Sequence, residues 1–331
     1  MTPEVWRPSA TPETLRARAD LFARIRSFFA ERGVMEVDTP MLSQHATVDR
    51  HIESFEVKPA GWLHTSPEFA MKRLLASGSG PIYQLCHVFR AEESGRWHNP
   101  EFLMLEWYRP GWDHHPLMDE VESLLAAVGG PASCERLSYR EAFLREAGFD
   151  PFAAPLSRLQ QGIQAPEGFS ADEKSDRDVW LDLWMSQCVG PKLGQTAPCL
   201  LYDFPASQAA LAKIRHDDPP TAMDGGSAAR GRMPEPPVAE RFELFWKGIE
   251  LANGFHELTD AAEQENRFKN ELAWRKRLAR KTPPYDTRLI AGLQSGLPAC
   301  AGVALGVDRL LMLLLGLPAL ARTMAFDSSR A

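Results

Sequence analysis

The segment Gly302–Arg309, "GVALGVDR", constrains the fold of this chain more than any other stretch. Gly302, Ala304 and Gly306 recur with period two, an Asp-Arg pair follows, and the chain continues into the apolar run "LLMLLLG". Residues two apart in a strand share a face, so the segment predicts a strand with almost no side-chain volume on one face. Glycine allows the backbone to approach a ligand closely. We therefore expect a ligand to lie against this strand and to meet Arg309 just beyond its end.

Composition and charge argue against several classes of protein. The chain has 331 residues, 44% hydrophobic and 24% charged, as in ordinary globular proteins. It has no apolar run long enough to cross a membrane and no signal peptide pattern, so we expect a cytoplasmic protein without a membrane partner. A net charge of −7 argues against nucleic acid as the main partner, because phosphate contacts favour basic surfaces. The basic stretch Asn266–Lys281 is either a solvated helix face, the preferred interpretation, or a nucleic-acid site.

Two predicted strands place charged and aromatic side chains on one face of a sheet. Gln84–Glu92 is predicted as a strand, and Glu101–Tyr108 as the strand that returns after a loop. By period two, Arg90 and Glu92 share a face. On the returning strand the residues that share a face are Phe102, Met104, Glu106 and Tyr108. Each charge taken alone is more simply a solvated surface residue, but a face that mixes apolar rings with arginine and carboxylates predicts a ligand pocket.

A second predicted hairpin, "RFELFWKGIELANGFHELTD", carries candidate metal ligands. Its turn near Lys247 brings Glu243 and Glu250 close together across the ladder, provided that the register puts both on one face. Two neighbouring carboxylates need a cation between them, and such hard oxygen ligands suit Mg²⁺. Further along, a buried Glu257 needs a cationic partner, for which a ligand with an ammonium group is one solution.

The chain lacks the usual glycine loops that bind phosphate. It contains neither the G-x-x-x-x-G-K-[ST] pattern of a P-loop nor a glycine fingerprint that opens a βαβ unit. If the protein binds phosphates, arginines and a metal ion must hold them, and Arg90 and Arg309 are the candidates.

Three segments together resemble the core of a class II aminoacyl-tRNA synthetase. "RGVMEVDTPML", which contains Pro40, resembles motif 1 of that class, "FRAEESGRWHNPEF" resembles motif 2, and "GVALGVDR" resembles motif 3. The stretches "TSPEFAMKRLL", "RWHNPEFLMLEWY" and "IELANGFHELTD" resemble the lysyl-tRNA synthetase subgroup. The resemblance covers the chain from about Leu15 to beyond Arg309, and five such motifs in order are very specific.

The resemblance implies an α+β fold, the class II synthetase catalytic domain, in which an antiparallel β-sheet is flanked by helices. Residues 1–331 then form one catalytic domain, and the proline- and glycine-rich stretch His216–Val238 is a mobile loop within it. Class II enzymes have motif 1 at a two-fold interface, which implies a homodimer, although Val34–Leu42 is equally consistent with a buried core strand. Only 14 residues precede the first core helix, so we expect no anticodon-binding domain.

The resemblance also implies an activity. A shortened family related to lysyl-tRNA synthetases ligates a lysine-type amino acid to a protein, elongation factor P, and this chain is similar to that family almost throughout. ATP and (R)-β-lysine are then expected to form an aminoacyl-adenylate, whose carbonyl is attacked by the amine of a specific lysine of elongation factor P. ATP is the expected co-substrate and Mg²⁺ the expected metal ion, and no tRNA is expected.

The same resemblance assigns roles to individual residues. Arg90 and Arg309 are the expected catalytic residues, which hold the α-phosphate and the γ-phosphate of ATP, and Glu243 and Glu250 are expected to bind Mg²⁺. The other residues expected at ATP are Ala91, Glu92, His98, Asn99, Phe102, Glu250, Leu251 and Gly306, with the Phe102 ring stacked on adenine. The residues expected to bind the amino acid are Ser66, Pro67, Glu68, Glu106, Tyr108, Asn253, Glu257 and Ala304.

Ala304 is the residue expected to set substrate choice. Lysyl-tRNA synthetases have glycine at the matching position. The methyl group of Ala304 is therefore expected to occupy the place of an α-amino group and to favour β-lysine over α-lysine.

Two other functions stay open at this point. The chain is alternatively a truncated synthetase-like enzyme that charges tRNA or a small acceptor, or a non-catalytic regulatory relative that keeps only the fold. The intact set of candidate residues argues against the last interpretation, and its members are Arg90, Glu92, Glu243, Glu250 and Arg309.

Overall fold

The computed structural model describes residues 6–216 and 235–331 of the chain. Most of the stretch 216–238, predicted as a mobile loop, lies outside the described residues. The strands of the described residues are β1 (Met35–Glu36), β2 (Leu42–Ser43), β3 (Glu56–Val57), β4 (Gly61–Leu63), β5 (Ile82–Phe89), β6 (Glu101–Pro110), β7 (Glu135–Ser138), β8 (Cys199–Pro205), β9 (Ile214–Arg215), β10 (Val238–Trp246), β11 (Ile249–His256) and β12 (Cys300–Gly306). The α-helices are α1 (Pro12–Ala30), α2 (Glu68–Ala76), α3 (His114–Ala127), α4 (Tyr139–Glu146), α5 (Leu156–Leu159), α6 (Ala171–Ser175), α7 (Arg177–Trp184), α8 (Ala261–Arg277), α9 (Thr287–Gly296) and α10 (Val307–Leu314).

One large sheet contains most of these strands. Within residues 6–216 and 235–331 its nine strands follow the order β1-β5-β6-β12-β11-β10-β8-β7, and β9 pairs with β10. The pairs β1–β5 and β7–β8 are parallel, and the other neighbours are antiparallel. A small separate sheet contains β2, β4 and β3. The predicted α+β fold, an antiparallel sheet flanked by helices, is confirmed.

Helices α1, α3 and α10 cover one face of the large sheet. They form a hydrophobic core with odd-numbered residues of β6 and β12, among them Leu103, Trp107 and Val303. Strand alternation places the even-numbered residues of both strands on the opposite face, where α2, α8 and α9 pack at one end. Helices α4, α5 and α7 pack against β8 and β10 at the other end of that second face.

Local sequence signals explain where α1 begins and ends. The hydroxyl of Thr11 accepts a hydrogen bond from the backbone N–H of Thr14 at 3.3 Å, and Pro12 occupies the first helical position. Gly33, with a φ of +64°, follows the helix end. Of the helices described in residues 6–216 and 235–331, none is long and apolar enough to cross a membrane.

A buried aspartate holds the junction between β12 and α10 in place. Asp308 is 1% exposed, accepts a hydrogen bond from the backbone N–H of Leu103 at 2.7 Å, and forms an ion pair with Arg18. These contacts tie the first turn of α10 to β6 and α1. The backbone position of the next residue, Arg309, is thereby determined.

The two glycines of β12, Gly302 and Gly306, have different surroundings on the cavity side of the sheet. A Cβ atom on Gly302 would lie 2.2 Å from Cε1 of Tyr108 and 2.6 Å from Oε1 of Glu257. A Cβ atom on Gly306 would have as its nearest neighbour the backbone oxygen of Leu251, at 3.8 Å. The expectation that a ligand requires both glycines is therefore wrong for Gly302, which makes room for the protein's own side chains. For Gly306 it stays a prediction.

We expect Gly302→Ala to destabilise the fold and Gly306→Ala to leave its stability nearly unchanged. A methyl group at position 302 forces Tyr108 and Glu257 to shift, and overpacking of this kind costs about 1–3 kcal/mol. Chemical denaturation of the two variants without ligands measures the difference in their free energies of unfolding. Equal stabilities would contradict the assignment of Gly302 to internal packing.

Candidate active site

A cavity of about 1060 Å³ opens on the sheet face opposite to α1, α3 and α10. Its wall includes side chains from β6, β10, β11 and β12, among them Phe102, Glu243, Asn253 and Ala304. Ser66 and Pro67, just before α2, and Glu68 at its start also line the cavity. The cavity therefore brings together most of the residues that the sequence nominated from separate segments.

Strand register aligns five site residues across the sheet. Gln84 of β5 lies opposite Glu106 of β6, and Glu106 lies opposite Ala304 of β12. Ala304 in turn pairs with Asn253 of β11, and Asn253 pairs with Glu243 of β10. Because directly opposite residues share a face, this row runs along the cavity side of the sheet.

Glu106 is buried beneath the cavity and accepts two short hydrogen bonds. Ser66 Oγ donates to Oε2 at 2.6 Å, and Tyr108 Oη donates to Oε1 at 2.6 Å. Burial, reinforced by the charge of Glu68, raises the pKa of Glu106 to about 7. A carboxylate in this state favours a cation beside it, because a nearby positive charge stabilises its ionised form.

Lys72 is an internal cation between two of the candidate carboxylates. Its Nζ lies 2.6 Å from Oε1 of Glu68 and 2.6 Å from Oε2 of Glu257, and the ammonium side chain is 1% exposed. Burial acts to lower the pKa of Lys72, but the charges of Glu257 and Glu68 outweigh it and raise the pKa above its usual value. Lys72 is therefore charged at neutral pH and holds both carboxylates in place.

The buried carboxylates near Lys72 outnumber the cations that contact them in the described part of the chain. Glu68 and Glu257 contact Lys72, whereas Glu106 is bonded to Ser66 and Tyr108, so full ionisation of the three carboxylates leaves two negative charges uncompensated. Burial raises the pKa of Glu257 to about 8 even though Lys72 acts to lower it. A ligand that brings two positive charges matches this excess.

Arg90 lies just after β5 with a donor still available. Its guanidinium lies over the Phe102 ring, 5.2 Å from the centroid, and Nη1 donates to Glu93 at 3.1 Å. Within the described residues, the buried Nε of Arg90 has no hydrogen-bond partner. An unsatisfied buried donor is costly, and a phosphate or carboxylate oxygen would satisfy it.

Arg309 is held at the opposite edge of the same region by backbone carbonyls. Its Nε donates to the carbonyl of Trp97 at 3.1 Å, and Nη1 donates to that of Glu250 at 2.9 Å. Burial, aided by the charge of Arg309, lowers the pKa of the neighbouring His98, so His98 is neutral at physiological pH. Arg309, His98 and Gly306 all line the cavity.

Glu243 and Glu250 come from the two strands of the predicted hairpin. The turn lies at Lys247 and Gly248, as predicted, and a register shift after Leu244 inserts one extra residue in β11. Glu243 and Glu250 both line the cavity. Burial raises the pKa of Glu243 to about 8, although an ion pair with Arg241 opposes this and the charge of Glu250 adds to it.

The donor set at this wall fits Mg²⁺ bound together with a phosphate ligand. The residues in the described part of the chain form no group of three or more potential metal-ligating side chains. Mg²⁺ is commonly held by one or two carboxylates, with phosphate oxygens and water completing its octahedron. Glu243 and Glu250 could supply such a pair of carboxylates. Two carboxylates are too few for a metal ion whose ligands must all come from protein side chains.

Some nominated residues occupy other positions. β5 ends at Phe89 and not at Glu92, so Glu92 is exposed and Glu93 lines the cavity instead. Ala91 donates its backbone N–H to the carbonyl of Glu53 at 2.9 Å and is not part of the cavity wall. The backbone turns away from the sheet here because Ala91 is bonded to this distant segment.

Four further nominated residues differ in their exposure to the cavity. Glu106, Tyr108 and Glu257 form the layer beneath the wall, each no more than 2% exposed. Asn99 lines the cavity, but its amide already donates to the Glu101 carbonyl at 2.5 Å and accepts from the Ser328 N–H at 3.2 Å.

The basic stretch 266–281 is partly structural. Arg275 is 1% exposed and bonds to the carbonyl of Asp49 at 2.6 Å and to the carboxylate of Glu53 at 2.5 Å. Arg280 donates to the carbonyl of Arg50 at 2.8 Å. Arg275 and Arg280 thus bind the segment 49–53, which borders the cavity, and this reduces the charge available for a nucleic acid.

Sequence reasoning missed two residues that hold the site together. Lys72 is four residues after Glu68, and side chains at this spacing on a helix are neighbours. Lys72 also lies among apolar residues, and this pattern could have indicated a buried cation. Arg241 is two residues before Glu243 on one strand face, donates to Asn253 Oδ1 at 3.2 Å, and forms the ion pair with Glu243.

Comparisons with known proteins give matches over nearly the whole chain. Residues 5–330 match the family model of tRNA synthetases class II (D, K and N). The chain is 49% identical over 342 residues to the elongation factor P–(R)-β-lysine ligase of Vibrio cholerae serotype O1, with 100% of both chains covered. It is 50% identical over 322 residues to the elongation factor P–(R)-β-lysine ligase of Vibrio vulnificus, with 94% of both chains covered.

The raised pKa of Glu106 predicts a pH-dependent stability without ligand. Between the ordinary value of 4.5 and about 7, the folded state keeps a proton that the unfolded chain has lost, so this group makes stability fall as pH rises. Glu106→Gln mimics the protonated form and therefore removes the decrease in stability that Glu106 causes as pH rises. Between about pH 5 and about pH 8, we expect the free energy of unfolding to fall less in the variant than in the wild type. The difference between the two decreases should reach up to about 3 kcal/mol.

Urea denaturation at the two pH values measures this difference, and the exposed Glu167→Gln is the control. A pH dependence in Glu106→Gln equal to that of the wild type would mean that Glu106 is ionised throughout.

Proposed function

This chain belongs to the class II tRNA synthetase family (D, K and N), and from that membership we propose that it activates (R)-β-lysine with ATP and transfers it to a specific lysine of elongation factor P. Both relatives are ligases whose names give the same two substrates, elongation factor P and (R)-β-lysine. The proposed product is an amide between the carboxyl group of β-lysine and the side-chain amine of the acceptor. No tRNA takes part in this reaction.

The charge excess of the amino acid pocket is the observation that carries the proposal. Glu68, Glu106 and Glu257 face one another with Lys72 as their only internal ammonium partner among the described residues. (R)-β-lysine has two ammonium groups, one on its β-carbon and one at the end of its side chain, and these compensate the two remaining charges. A neutral or acidic amino acid would leave buried carboxylates unpaired, which is costly.

Ala304 supports the choice of the β isomer. It lies between Glu106 and Asn253 in the aligned row and lines the cavity. Its methyl group narrows the space above the sheet at the point where the amino group of an α-amino acid would be attached. Moving the amino group one carbon along the chain avoids that methyl group.

The two arginines suit the activation step. The carboxylate of β-lysine attacks the α-phosphorus of ATP, the adenylate forms and pyrophosphate leaves, so negative charge must be stabilised on several oxygens. Arg90 has the unsatisfied Nε for an α-phosphate or carboxylate oxygen, and Arg309 binds at the other end of the triphosphate. The Phe102 ring lies under Arg90 and offers a stacking surface for adenine.

Mg²⁺ fits the proposal as an ion that arrives with ATP. Glu243 and Glu250 would hold it, and it would neutralise phosphate charge. Arg241 pairs with Glu243 and keeps that carboxylate oriented toward the cavity wall.

The proposed enzyme is a cytoplasmic homodimer. Side chains of the motif 1 segment, Met35, Met41 and Leu42, are 50%, 47% and 43% exposed. Large apolar side chains left exposed along this segment favour burial against a second copy. This supports the two-fold interface that the family resemblance implies.

The proposed activity predicts pyrophosphate exchange without tRNA. With ATP and (R)-β-lysine the protein should exchange labelled pyrophosphate, and it should then label elongation factor P at one lysine. α-Lysine should support exchange more weakly. Absence of exchange with every amino acid would leave a non-catalytic relative, and labelling of tRNA but not of elongation factor P would favour the truncated synthetase.

Ala304→Gly should widen tolerance toward α-lysine. Removal of the methyl group opens the place of the α-amino group, and one such contact is worth about 1–3 kcal/mol, or roughly 10–200-fold in selectivity. The ratio of kcat/KM for the two isomers in the exchange assay measures the effect, with activity on β-lysine as the internal control. An unchanged ratio would remove Ala304 as the basis of the preference.

A further inference from the structure

The cavity extends past the residues that ATP and the amino acid would occupy. Beyond Asn253 and Glu243 its wall continues along Asp178 and Asp182 of α7 and along the segment 206–211. Its volume of about 1060 Å³ lies just above the roughly 300–1,000 Å³ typical of sites for one small ligand. We name the part lined by α7, by residues 49–52 and by residues 206–211 the outer lobe.

Two carboxylates of the outer lobe have only neutral hydrogen-bond donors. Asp178 accepts from Ser207 Oγ at 2.7 Å, and Asp182 accepts from Gln208 Nε2 at 2.9 Å. Across residues 6–216 and 235–331, neither carboxylate has a lysine or arginine nitrogen within 4.0 Å. The Asp182 side chain is 52% exposed and lines the cavity, so a ligand can reach it.

The charged groups around these carboxylates are already paired or neutral. Arg50 binds Glu271 through two nitrogens and lies 3.6 Å from Asp176. Arg241, on β10, is paired with Glu243. His51 is 3.9 Å from Asp182, but burial lowers its pKa, so it is neutral at physiological pH.

The pKa of Asp178 agrees with this shortage of cations, because its partial burial raises that pKa. Glu243, the carboxylate that we expect to face the phosphates in the proposed reaction, lines the same cavity as Asp182.

A buried amide in the same cavity provides an independent sign of a ligand. Gln264 of α8 is 1% exposed and lines the cavity. In the described part of the chain its Nε2 has no hydrogen-bond partner. The N–H donors of this amide have no acceptor oxygen within hydrogen-bond distance, and a backbone carbonyl of a bound polypeptide would supply one.

We propose that the outer lobe is the binding site of the acceptor lysine, whose ammonium group is held by Asp178 and Asp182 before transfer. The inference rests on the proposed function, because it names where the second substrate of that reaction binds. A protein lysine reaches the enzyme as a cation, and two unpaired carboxylates attract it toward the adenylate. The ribose hydroxyl of a tRNA is neutral and gains nothing from them, so the lobe favours an amine acceptor.

The test compares Asp178→Asn, Asp182→Asn and the double variant with wild type in two assays. ATP–pyrophosphate exchange with (R)-β-lysine measures activation, and labelling of elongation factor P measures transfer. Exchange should stay within about twofold of wild type, whereas KM for elongation factor P should rise about tenfold in the single variants and further in the double variant. Asp182→Glu, which keeps the charge, should restore most of the affinity.

Asp172→Asn is the matched control, because Asp172 is an exposed acid on α6 outside the cavity wall. Hydroxylamine, a neutral acceptor, should trap the adenylate equally fast in wild type and in the variants. An unchanged KM for elongation factor P in the double variant would overturn the inference, as would a loss of exchange equal to the loss of transfer. If wild type exchanges pyrophosphate but never labels elongation factor P, the proposed function itself fails.

Discussion

The ion pairs of the buried Lys72 are the interaction on which the candidate site depends. Its ammonium lies 2.6 Å from both Glu68, at the start of α2, and Glu257, just after β11. It therefore ties a helix to the sheet and neutralises one of the three buried carboxylates, Glu68, Glu106 and Glu257, in the proposed amino acid pocket. Loss of one partner from a buried ion pair leaves a charge without compensation, at a cost of about 3–5 kcal/mol. The same contacts thus stabilise the fold and determine how much positive charge a ligand must bring.

The cavity offers a substrate both buried carboxylates and cationic donors. Glu68, Glu106 and Glu257 lie beneath or beside its wall, and Arg90 and Arg309 line it. In the proposed reaction, a molecule with two ammonium groups and one carboxylate would bind with its carboxylate toward the phosphates. The outer lobe adds a second group of carboxylates to the same cavity, which is where we propose that the acceptor amine binds.

Strand β12 shows how one short repeat serves three purposes. Gly302 leaves room for Tyr108 and Glu257, Ala304 lies in the row that ends at Glu243, and Gly306 leaves open space in the cavity wall. The three small residues thus share one strand face because of the period-two alternation, but each is small because of a different neighbour. Asp308 then fixes the start of α10, so the following arginine has a determined position relative to all three.

The amino-acid sequence by itself determined the hairpin turn at Lys247 and the shared face of Phe102 and Glu106, because period-two alternation and turn chemistry are local properties of the chain. The fold class followed from the resemblance of its motifs to those of class II synthetases. Only the tertiary structure decided that Glu93 and not Glu92 lines the cavity, and that Lys72 is an internal cation. It also decided that Arg275 of the basic stretch is buried. The physical reason is that burial, ion pairing and strand ends depend on segments distant in sequence, and no local pattern encodes which distant carboxylate or carbonyl a side chain will meet.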